Sequence, residues 1–456
     1  MTNLAVKSAP DASAGPANIE IRTDLRTGVF FIHLPKTAGV ALRFFLKNQF
    51  WPHEVCPAQT WAECLEIGLD NVSQYRLVQG HLPLSLRDGL GQGMSTVTFL
   101  REPVDRTISA LKHLRRDREC NRLHDRVAGR SIWEILDDQT VMAAVCNNQV
   151  RLLGSARRLA DCIAGCRADR GWDGVRALSD FEADADDGAA LERAKSRIRD
   201  LDFVGLTEHF SESLSQMCLR FGLHPQMRTP LRNESAAADS DALLAPEEAR
   251  NELRKRNYLD VELYEYARPL IEEQFRRSAV QTLIALPLQR EIYPPIVDAR
   301  KLALEGPMPG SGWFEAEWDQ GAVYRWSGPQ TESSIECALD PGGWYDFSIK
   351  ISPYKAQDLN GFSIEVGGEP VTHSGVLLRD GKHGSYDVSF EYRKSVDDTN
   401  ALTSIVFKIG RVYSPLEDGL DDVRKLGFIL RSFECSKRDS ITTSTPIDGV
   451  RAGTAS

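Results

Sequence analysis

In the first part of the chain, short apolar runs of strand length are followed by apolar residues at helical spacing. Phe30 to Ile32 form one such run, and Leu42, Phe45 and Leu46 follow it on one predicted helix face. Thr96 to Leu100 form a second strand that also leads into an amphipathic pattern. Strands that alternate with helices are typical of an α/β fold. We therefore expect an α/β region here.

Further along, the pattern changes to short strands separated by turn signals such as Pro341-Gly-Gly. Eight strands are predicted: Trp313–Trp318, Tyr324–Trp326, Ser333–Leu339, Trp344–Ile351, Phe362–Val366, Tyr386–Tyr392, Leu402–Ile409 and Leu426–Phe433. This spacing predicts an antiparallel β-sandwich or jelly roll. The predicted segments are a disordered lead-in (1–26), the α/β domain (27–278), a linker (279–310), the β-sandwich accessory domain (311–437) and a disordered tail (438–456).

Composition and charge exclude some classes of function but do not identify one. The 456 residues carry a net charge of −10, which argues against general nucleic-acid binding, so any anion site must be a local positive pocket. No apolar run approaches the roughly 20 residues that span a bilayer. Of the nine cysteines, Cys162 and Cys166 are four apart, but no second close pair completes a zinc site. We expect reduced cysteines, no metal, no transmembrane segment and a cytoplasmic location.

The segment Pro35 to Gly39, PKTAG, joins the first predicted strand to its helix. A strand that runs through such a loop into a helix presents free backbone N–H groups and the positive end of the helix dipole, which suits a phosphate. Lys36 adds a mobile charge. Because the lysine precedes the glycine, the loop is not the nucleotide-triphosphate loop GxxxxGK[ST]. The alternative is a strand–loop–helix corner with a solvated lysine.

Two further stretches carry candidate chemistry. In YRLVQGHLPLSL, His81 follows a predicted strand end, where α/β sheets usually place catalytic groups; otherwise it is a loop histidine bonded to local backbone. In the next stretch, Arg101 ends a strand and Ser109 lies about two helical turns further on. An arginine fork can grip a phosphate with two hydrogen bonds, and a hydroxyl adds a third. The alternative is a capped surface helix with an ion pair.

Together, IHLPKTAG, Gly80-His81 and R-x-P-x-x-R-x-x-S resemble the carbohydrate O-sulfotransferases that use 3′-phosphoadenosine 5′-phosphosulfate (PAPS), specifically the heparan sulfate 2-O-sulfotransferase-like enzymes of a bacterial soluble type. The resemblance covers roughly residues 28 to 277. It implies a P-loop-like parallel sheet flanked by helices, and transfer of a sulfuryl group to a carbohydrate or glycolipid hydroxyl without a metal.

The resemblance also assigns roles to residues. His81 is the implied general base, and Lys36 stabilises the charge that grows on the leaving phosphate. Arg101 and Ser109 hold the 3′-phosphate. The 5′-phosphosulfate is bound by the loop residues Pro35, Lys36, Thr37, Ala38, Gly39, Val40 and Ala41.

One departure from the family pattern concerns the two residues after the loop glycine, which usually carry hydroxyls. Here they are Val40 and Ala41. Two lost hydrogen bonds, at roughly 1 kcal/mol or more each, correspond to a ten- to hundredfold weaker donor affinity. This departure favours one alternative function, a non-catalytic glycan-binding protein with a decayed transferase domain. Another alternative is a P-loop nucleotide kinase, although the chain lacks a GK[ST] loop.

Several residues remain open between a functional and a structural role. The basic residues of the predicted helix after Arg101 either line an acceptor cleft or form a solvated face: Arg106, Lys112, Arg115, Arg116 and Arg118. The sandwich, which weakly resembles accessory modules of glycan-modifying enzymes, carries tryptophans that either stack on sugars or fill a core: Trp313, Trp318, Trp326 and Trp344. Asn147-Asn148-Gln149 interrupts a predicted helix and resembles the family's Asn-Gln helix.

Overall fold

Four parallel strands form the sheet of the first region: β1 (Gly28–Ile32), β2 (Leu77–Gly80), β3 (Met94–Leu100) and β4 (Phe203–Leu206). Their order across the sheet is β2-β1-β3-β4. Nearly every strand residue is buried, as expected of a parallel sheet that is covered on both faces. The predicted α/β fold with a parallel sheet is confirmed.

The computed structural model describes residues 28–82, 84–90, 93–116, 123–156, 187–223, 246–285, 299–319, 321–355, 361–372, 374–378, 384–400, 402–420, 422 and 424–438. The predicted lead-in and tail lie outside the described residues, except for Arg438, the first residue of the predicted tail. Cys162, Cys166 and Arg118 also lie outside the described residues.

The helices of this region follow the strands in sequence. They are α1 (Gly39–Lys47), α2 (Trp61–Ile67), α3 (Leu69–Val72), α4 (Leu86–Gly89), α5 (Pro103–Arg116), α6 (His124–Val127), α7 (Ile132–Asp137), α8 (Gln139–Val145), α9 (Asn148–Gly154), α10 (Asp187–Asp200), α11 (Phe210–Phe221), α12 (Glu247–Arg256) and α13 (Tyr258–Ala285).

Alternate residues of β1 face opposite sides of the sheet and enter two separate apolar cores. Val29 and Phe31 pack with α1 and α11, whereas Phe30 and Ile32 pack with α9, α10 and α13. Because all four strands run in one direction, their carboxyl ends meet at a single edge of the sheet. That edge is where ligand sites form in open α/β sheets, and it carries the loop after β1 and His81 after β2.

The second region is a β-sandwich. One sheet has the order β11-β10-β14-β8 and the other β12-β13-β9-β15-β7-β6, with β5 added on β15. The strands are β5 (Ala299–Lys301), β6 (Trp313–Asp319), β7 (Ala322–Ser327), β8 (Glu332–Cys337), β9 (Trp344–Pro353), β10 (Ser363–Val366), β11 (Glu369–Pro370), β12 (Ser374–Leu378), β13 (Ser385–Arg393), β14 (Thr403–Lys408) and β15 (Phe428–Lys437).

Both sheets of the sandwich contribute to one apolar core, for example Ile405 and Phe407 from one and Phe347 and Ile349 from the other. All eight predicted strands are present. The pairing within the sandwich is antiparallel throughout the described strands, as predicted. The sequence analysis missed three strands, β5, β11 and β12; β5 and β11 have only three and two residues, which is too few to show alternation.

The tryptophans of the sandwich divide between the two roles left open by the sequence. Trp313 is fully buried, and its indole N–H donates to the carbonyl of Ser334 at 2.7 Å. Trp326 packs edge-on against Tyr354 at a centroid distance of 5.9 Å. Trp318 and Trp344 are 55% and 45% exposed. The first pair is structural, and only the second pair is open to a ligand.

The described residues of the predicted linker, 279–285 and 299–310, contain regular structure, and the second of these ranges contacts both regions. Helix α13 continues to Ala285, and β5 pairs with β15. Leu304 and Met308 are buried in the sandwich core. The backbone N–H of Met308 donates to the carbonyl of Asn48 at 2.8 Å. Met308, which lies in the Pro- and Gly-rich stretch 306–312, is thus packed in the sandwich core and bonded to the residue that follows α1.

The end of α1 is bound to the sandwich by side chains as well. Asn48, just after α1, donates through Nδ2 to the carbonyl of Trp313 at 3.0 Å and accepts at Oδ1 from Arg325 at 2.6 Å. Lys47 pairs with Glu315 at 2.8 Å, and Phe44 meets Phe314 edge-on at 5.6 Å. Helix α1 therefore carries the loop 35–38 at its first end and the sandwich at its other end.

Candidate active site

The loop between β1 and α1 has a strained backbone. Lys36 and Ala38 have φ values of 70° and 58°, a region that residues with a Cβ seldom occupy. Alternation of left-handed and ordinary conformations turns successive backbone N–H groups to one side and makes an anion-binding concavity. Strain of this kind persists where the surrounding structure holds it and is concentrated at functional sites. The loop fits the prediction that its backbone binds phosphate oxygens.

The side chains of the loop contribute unequally. The Thr37 hydroxyl is buried and donates to the carbonyl of Leu34 at 2.9 Å, so Thr37 offers a ligand only its backbone N–H. Val40 is 40% exposed, whereas Ala41 is buried in the core beneath α1. Pro35 is half-buried and begins the turn. Lys36 supplies the charge of the loop, and its backbone carbonyl is bound by Arg101, with Nη1 at 3.1 Å.

Gly39 allows a histidine to lie against the start of α1. A Cβ on Gly39 would be 1.8 Å from Cδ2 of His33, so a side chain at this position would displace the imidazole. The His33 ring is buried and stacks on Phe31 at 5.6 Å and on His81 at 4.3 Å. The glycine is thus required for close packing of the first turn on the ring of His33.

His81 is fixed in the tautomer that a base requires. Its Nδ1 lies 2.9 Å from the backbone carbonyl of His33, and a carbonyl oxygen only accepts, so Nδ1 carries the hydrogen. Burial is the main cause that lowers the pKa of His81 to about 4, and the charges of Arg43 and Lys36 lower it further. The ring is therefore neutral near pH 7, and Nε2 holds a free lone pair.

The cations near the loop act on one another. Burial lowers the pKa of Lys36 to about 8, and the charges of Arg116 and Arg101 add to this effect. Three positive groups thus converge on the loop of a protein whose net charge is −10. A local concentration of positive charge is what an anion site needs in a chain with this net charge.

Arg101 is held by a side chain that the sequence did not assign to the site. Oε1 of Gln149 accepts from the backbone N–H of Arg101 at 3.0 Å, and Nε2 of Gln149 donates to its carbonyl, also at 3.0 Å. Gln149 lies in the first turn of α9, where Asp260 accepts from the N–H groups of Gln149 and Val150 at 3.2 Å and 2.8 Å. A buried carboxylate thus fixes α9, and α9 fixes Arg101.

Ser109 is half-buried midway along α5. In the described part of the chain its side chain makes no hydrogen bond to the loop residues 35–41. The structure therefore brings together the loop, His81 and Arg101 directly, and leaves Ser109 on the helix that starts beside Arg101.

Arg106 does not line a cleft. Its side chain is fully buried, lies 3.7 Å from the equally buried carboxylate of Asp260, and donates to the carbonyl of Val145 and to the hydroxyl of Thr107. Arg106 is a structural cation between α5, α8 and α13. Arg116 is exposed, and its charge acts on Lys36.

Two comparisons bear on this geometry. Residues 73–267 match the sulfotransferase family. The sulfotransferase match includes His81, Arg101, Ser109, Gln149 and Asp260, and it begins after the loop 35–41. No curated protein matches the chain.

Among solved structures, a sulfotransferase from Alicyclobacillus acidocaldarius is 15% identical, with a TM-score of 0.28, over 55% of this chain and 98% of its own. A family 35 carbohydrate-binding module from Clostridium thermocellum is 12% identical, with a TM-score of 0.17, over 31% of this chain and 94% of its own. A carbohydrate-binding module of a Cellvibrio mixtus lichenase is 11% identical, with a TM-score of 0.18, over 28% of this chain and 88% of its own. Similarities this low carry no functional argument.

Within the described ranges, no helix is both long and apolar enough to cross a bilayer. The same residues contain no group of three or more His, Cys, Asp or Glu side chains arranged to hold a metal ion.

Proposed function

We propose that the protein is a PAPS-dependent O-sulfotransferase that acts on a carbohydrate or glycolipid hydroxyl. The observation that carries the proposal is the arrangement of His81: its Nδ1–H donates to a backbone carbonyl, its Nε2 has no hydrogen-bond partner among the described residues, and it lies beside a cationic loop. The family match over residues 73–267 supports sulfuryl transfer in general. The identity of the donor, the class of the acceptor and the role of His81 as the base are proposals.

The residues present fit the donor. The backbone N–H groups of the strained loop and the start of α1 suit a 5′-phosphosulfate. Arg101, whose backbone is fixed by Gln149, and Ser109 are proposed to hold the 3′-phosphate, which distinguishes this nucleotide from ordinary adenosine phosphates. When bound, the donor supplies a sulfuryl group on a phosphate leaving group.

The chain's own groups then perform two tasks. Nε2 of His81 takes the proton of the acceptor hydroxyl as the oxygen bonds to sulfur. Lys36 and the loop N–H groups stabilise the charge left on the phosphate as its bond to sulfur breaks. By analogy with phosphoryl transfer, positioning and charge stabilisation provide most of the rate enhancement.

Calorimetric titration with 3′,5′-adenosine bisphosphate tests the donor site. We expect magnesium-independent binding that is tighter than that of ATP or ADP and is lost in Arg101→Ala. The same variant series includes His81→Ala, which should keep bisphosphate binding and lose transfer by a factor of about 10² to 10⁴. His53→Ala changes an exposed histidine and is the matched control.

A preference for ATP with magnesium would sink the donor assignment and favour a nucleotide kinase. A non-catalytic protein with a glycan-binding sandwich is the second candidate, and the exposed Trp318 and Trp344 favour it. Sugar binding that is lost in Trp344→Ala, together with no sulfate transfer to any acceptor, would support this candidate.

A further inference from the structure

Residues 54–60, here named the edge segment, lie alongside β2 on the side away from β1. The backbone N–H of Cys56 donates to the carbonyl of Leu77 at 2.8 Å. At the other end of the segment, a parallel bridge joins Thr60 to His81. The edge segment therefore extends the parallel sheet by one irregular strand, and this strand ends beside the histidine that we propose as the base.

The backbone of His81 is held by the edge segment. Its N–H donates to the carbonyl of Gln59 at 2.9 Å. Gly80 permits this contact, because a Cβ at Gly80 would be 2.1 Å from the same carbonyl oxygen and would push the edge segment away. On the other side of β2, the carbonyl of Gly80 accepts from the N–H of His33 at 3.0 Å. The strand end that carries the His81 ring is thus fixed from both sides.

Glu63 in α2 binds the edge segment in turn. Its Oε2 accepts from the N–H groups of Gln59 and Thr60 at 2.6 Å and 2.9 Å. The bond to Thr60 belongs to a capping box, since Thr60 is the N-cap of α2 and its hydroxyl accepts from the N–H of Glu63. The bond to Gln59 lies outside that motif and is the shorter of the two. Capping α2 does not require it.

A single peptide group links Glu63 to His81. In the peptide between Gln59 and Thr60, the N–H donates to the Glu63 carboxylate and the carbonyl accepts from the N–H of His81. Hydrogen bonds in such a chain polarise one another, so a charged acceptor at the N–H makes the carbonyl a better acceptor. The orientation of this peptide, and with it the position of the His81 backbone, therefore depends on Glu63.

The carboxylate of Glu63 is charged and firmly placed. Burial alone would raise its pKa, but the hydrogen bonds from Gln59 and Thr60 outweigh this effect and lower the pKa below its usual value. The Glu63 side chain is exposed. Its helix is anchored all the same, because Trp61 and Cys64, which flank Glu63 in α2, are buried in the core beneath the sheet.

We propose that Glu63 is a positioning residue for His81. Through the peptide between Gln59 and Thr60 it fixes the backbone of the histidine, so that Nδ1–H stays bonded to the carbonyl of His33 and Nε2 keeps its lone pair for the acceptor hydroxyl. The proposal rests on the proposed function, because it assumes that Nε2 of His81 is the base. Glu63 itself is not proposed to touch the nucleotide or the acceptor.

The first test follows the imidazole of His81 by NMR, in the full chain with isotope-labelled histidines, with and without 3′,5′-adenosine bisphosphate. The two ring nitrogens give well-separated signals in a fixed tautomer, and exchange between tautomers draws these signals together. We expect a fixed Nδ1–H tautomer in the wild type and a mixture in Glu63→Ala. Hydrogen exchange of the His81 backbone N–H should be about tenfold faster in the variant. His81→Ala assigns the signals.

The chain offers a matched control in Glu134. This residue forms the same kind of capping box at the start of α7, where its Oε2 accepts from the N–H of Ser131 at 2.8 Å, and its side chain is also exposed. Glu134→Ala should lower the melting temperature about as much as Glu63→Ala and leave the His81 signals unchanged. Glu63→Gln keeps an accepting oxygen without the charge, so it should restore the fixed tautomer in part.

Kinetics give a second readout that a purely structural cap would not change. For any acceptor that the wild type sulfates, Glu63→Ala should lower kcat about tenfold and leave the KM for PAPS within about twofold, because the donor loop is not altered. The expected factor is below the roughly 10² that a 1 Å misplacement can cost, since water can replace part of the bonding at an exposed carboxylate. Glu134→Ala should leave both constants unchanged.

Unchanged His81 signals in Glu63→Ala would overturn the proposal, as would an equal change of these signals in Glu134→Ala or a kcat that Glu63→Ala does not lower. Failure of the wild type to bind the bisphosphate, or to sulfate any acceptor, is a different result. It overturns the proposed function and with it the catalytic role of Glu63. The NMR comparison distinguishes the two failures, because it reports on the His81 ring without any turnover.

Discussion

His81 and Lys36 owe their chemistry to burial beside other charges. Burial raises the free energy of the charged form of each side chain, and nearby cations add to this effect. His81 is thereby neutral near pH 7, and Lys36 is closer to losing its proton than an exposed lysine. Both consequences are measurable as pH dependence.

The first prediction concerns the pH profile of kcat/KM, which reports groups of the free enzyme. We expect an acid limb at the pKa of His81, about 4, and an alkaline limb at the pKa of Lys36, about 8. Activity should be constant between these limbs, because His81 is neutral and Lys36 is charged there. The measurement is initial rate at low donor concentration across this range. An acid limb near the ordinary histidine value of about 6.5 would contradict the burial of a neutral His81.

The second prediction concerns stability. The pKa of His81 is lower in the folded than in the unfolded protein, so the unfolded chain binds the proton first as the pH falls. The free energy of unfolding should therefore fall as the pH decreases from about 6.5 to about 4, by roughly 3 kcal/mol for this residue. His81→Gln should reduce the dependence in urea unfolding measured across this range, and the remaining dependence comes in part from His33, whose pKa is also lowered by burial. His53→Gln, at an exposed position, should leave it unchanged.

The third prediction concerns Val40, which stands where the resemblance expects a hydroxyl. Val40 is 40% exposed in the first turn of α1, so a threonine fits there and its hydroxyl can reach a phosphate oxygen. Val40→Thr should tighten bisphosphate binding by up to about tenfold in calorimetry. Ala41→Ser is the contrast, since Ala41 is buried in an apolar core and its hydroxyl would lose stability without gaining a ligand contact.

At the scale of elements, α9 determines how Arg101 is presented. Asp260 of α13 binds two N–H groups in the first turn of α9, and Gln149 in that turn binds both backbone polar groups of Arg101. The end of β3 is thus positioned by a helix that comes much later in the chain. The geometry of Arg101 depends on this contact as well as on its own strand.

The fourth prediction tests that dependence. Gln149→Ala should weaken bisphosphate binding about tenfold, because it removes two hydrogen bonds that hold the backbone of Arg101. Gln149→Glu should have a smaller effect, since a carboxylate still accepts from the Arg101 N–H but cannot donate to its carbonyl. Calorimetry measures the affinity, and thermal melting of each variant separates lost binding from lost fold. Unchanged affinity in Gln149→Ala would remove α9 from the site.

The sequence predicted the elements well, because periodicity and turn residues are local signals. The loop after β1, the position of His81 at a strand end and eight sandwich strands were all visible in this way. The pairings of Gln149 with Arg101 and of Arg106 with Asp260 join residues far apart in the chain, and one sequence carries no local sign of them. The stacking of the His33 ring on His81 likewise has no local sign in the sequence.

At the scale of the whole molecule, the two regions share one buried polar junction. The guanidinium of Arg325 donates to the carbonyls of Leu304, Gly306 and Phe314 and to Oδ1 of Asn48. Burial lowers the pKa of Arg325 to about 10, so these acceptors stabilise a charge that is held away from water. The junction therefore requires both regions to be folded.

The fifth prediction follows from this junction. Asn48→Ala removes an acceptor from a buried guanidinium and a donor from the Trp313 carbonyl, and should lower the free energy of unfolding by about 3 kcal/mol. Lys47→Ala breaks an exposed ion pair next to it and should cost less than about 1 kcal/mol. Urea unfolding followed by tryptophan fluorescence and by circular dichroism should give coincident transitions in the wild type. Two separate transitions would show that the regions fold independently.

Helix α1 also limits how such a chain could be rearranged during evolution or protein engineering. A domain that is joined to its neighbour only by a flexible linker can be replaced by another domain fused at any residue of that linker. In this chain the sandwich contacts the residue that follows α1. A new sandwich grafted after residue 285 would leave Asn48 and Phe44 without their partners. Successful chimeras would therefore have to exchange the second half of α1 together with the sandwich.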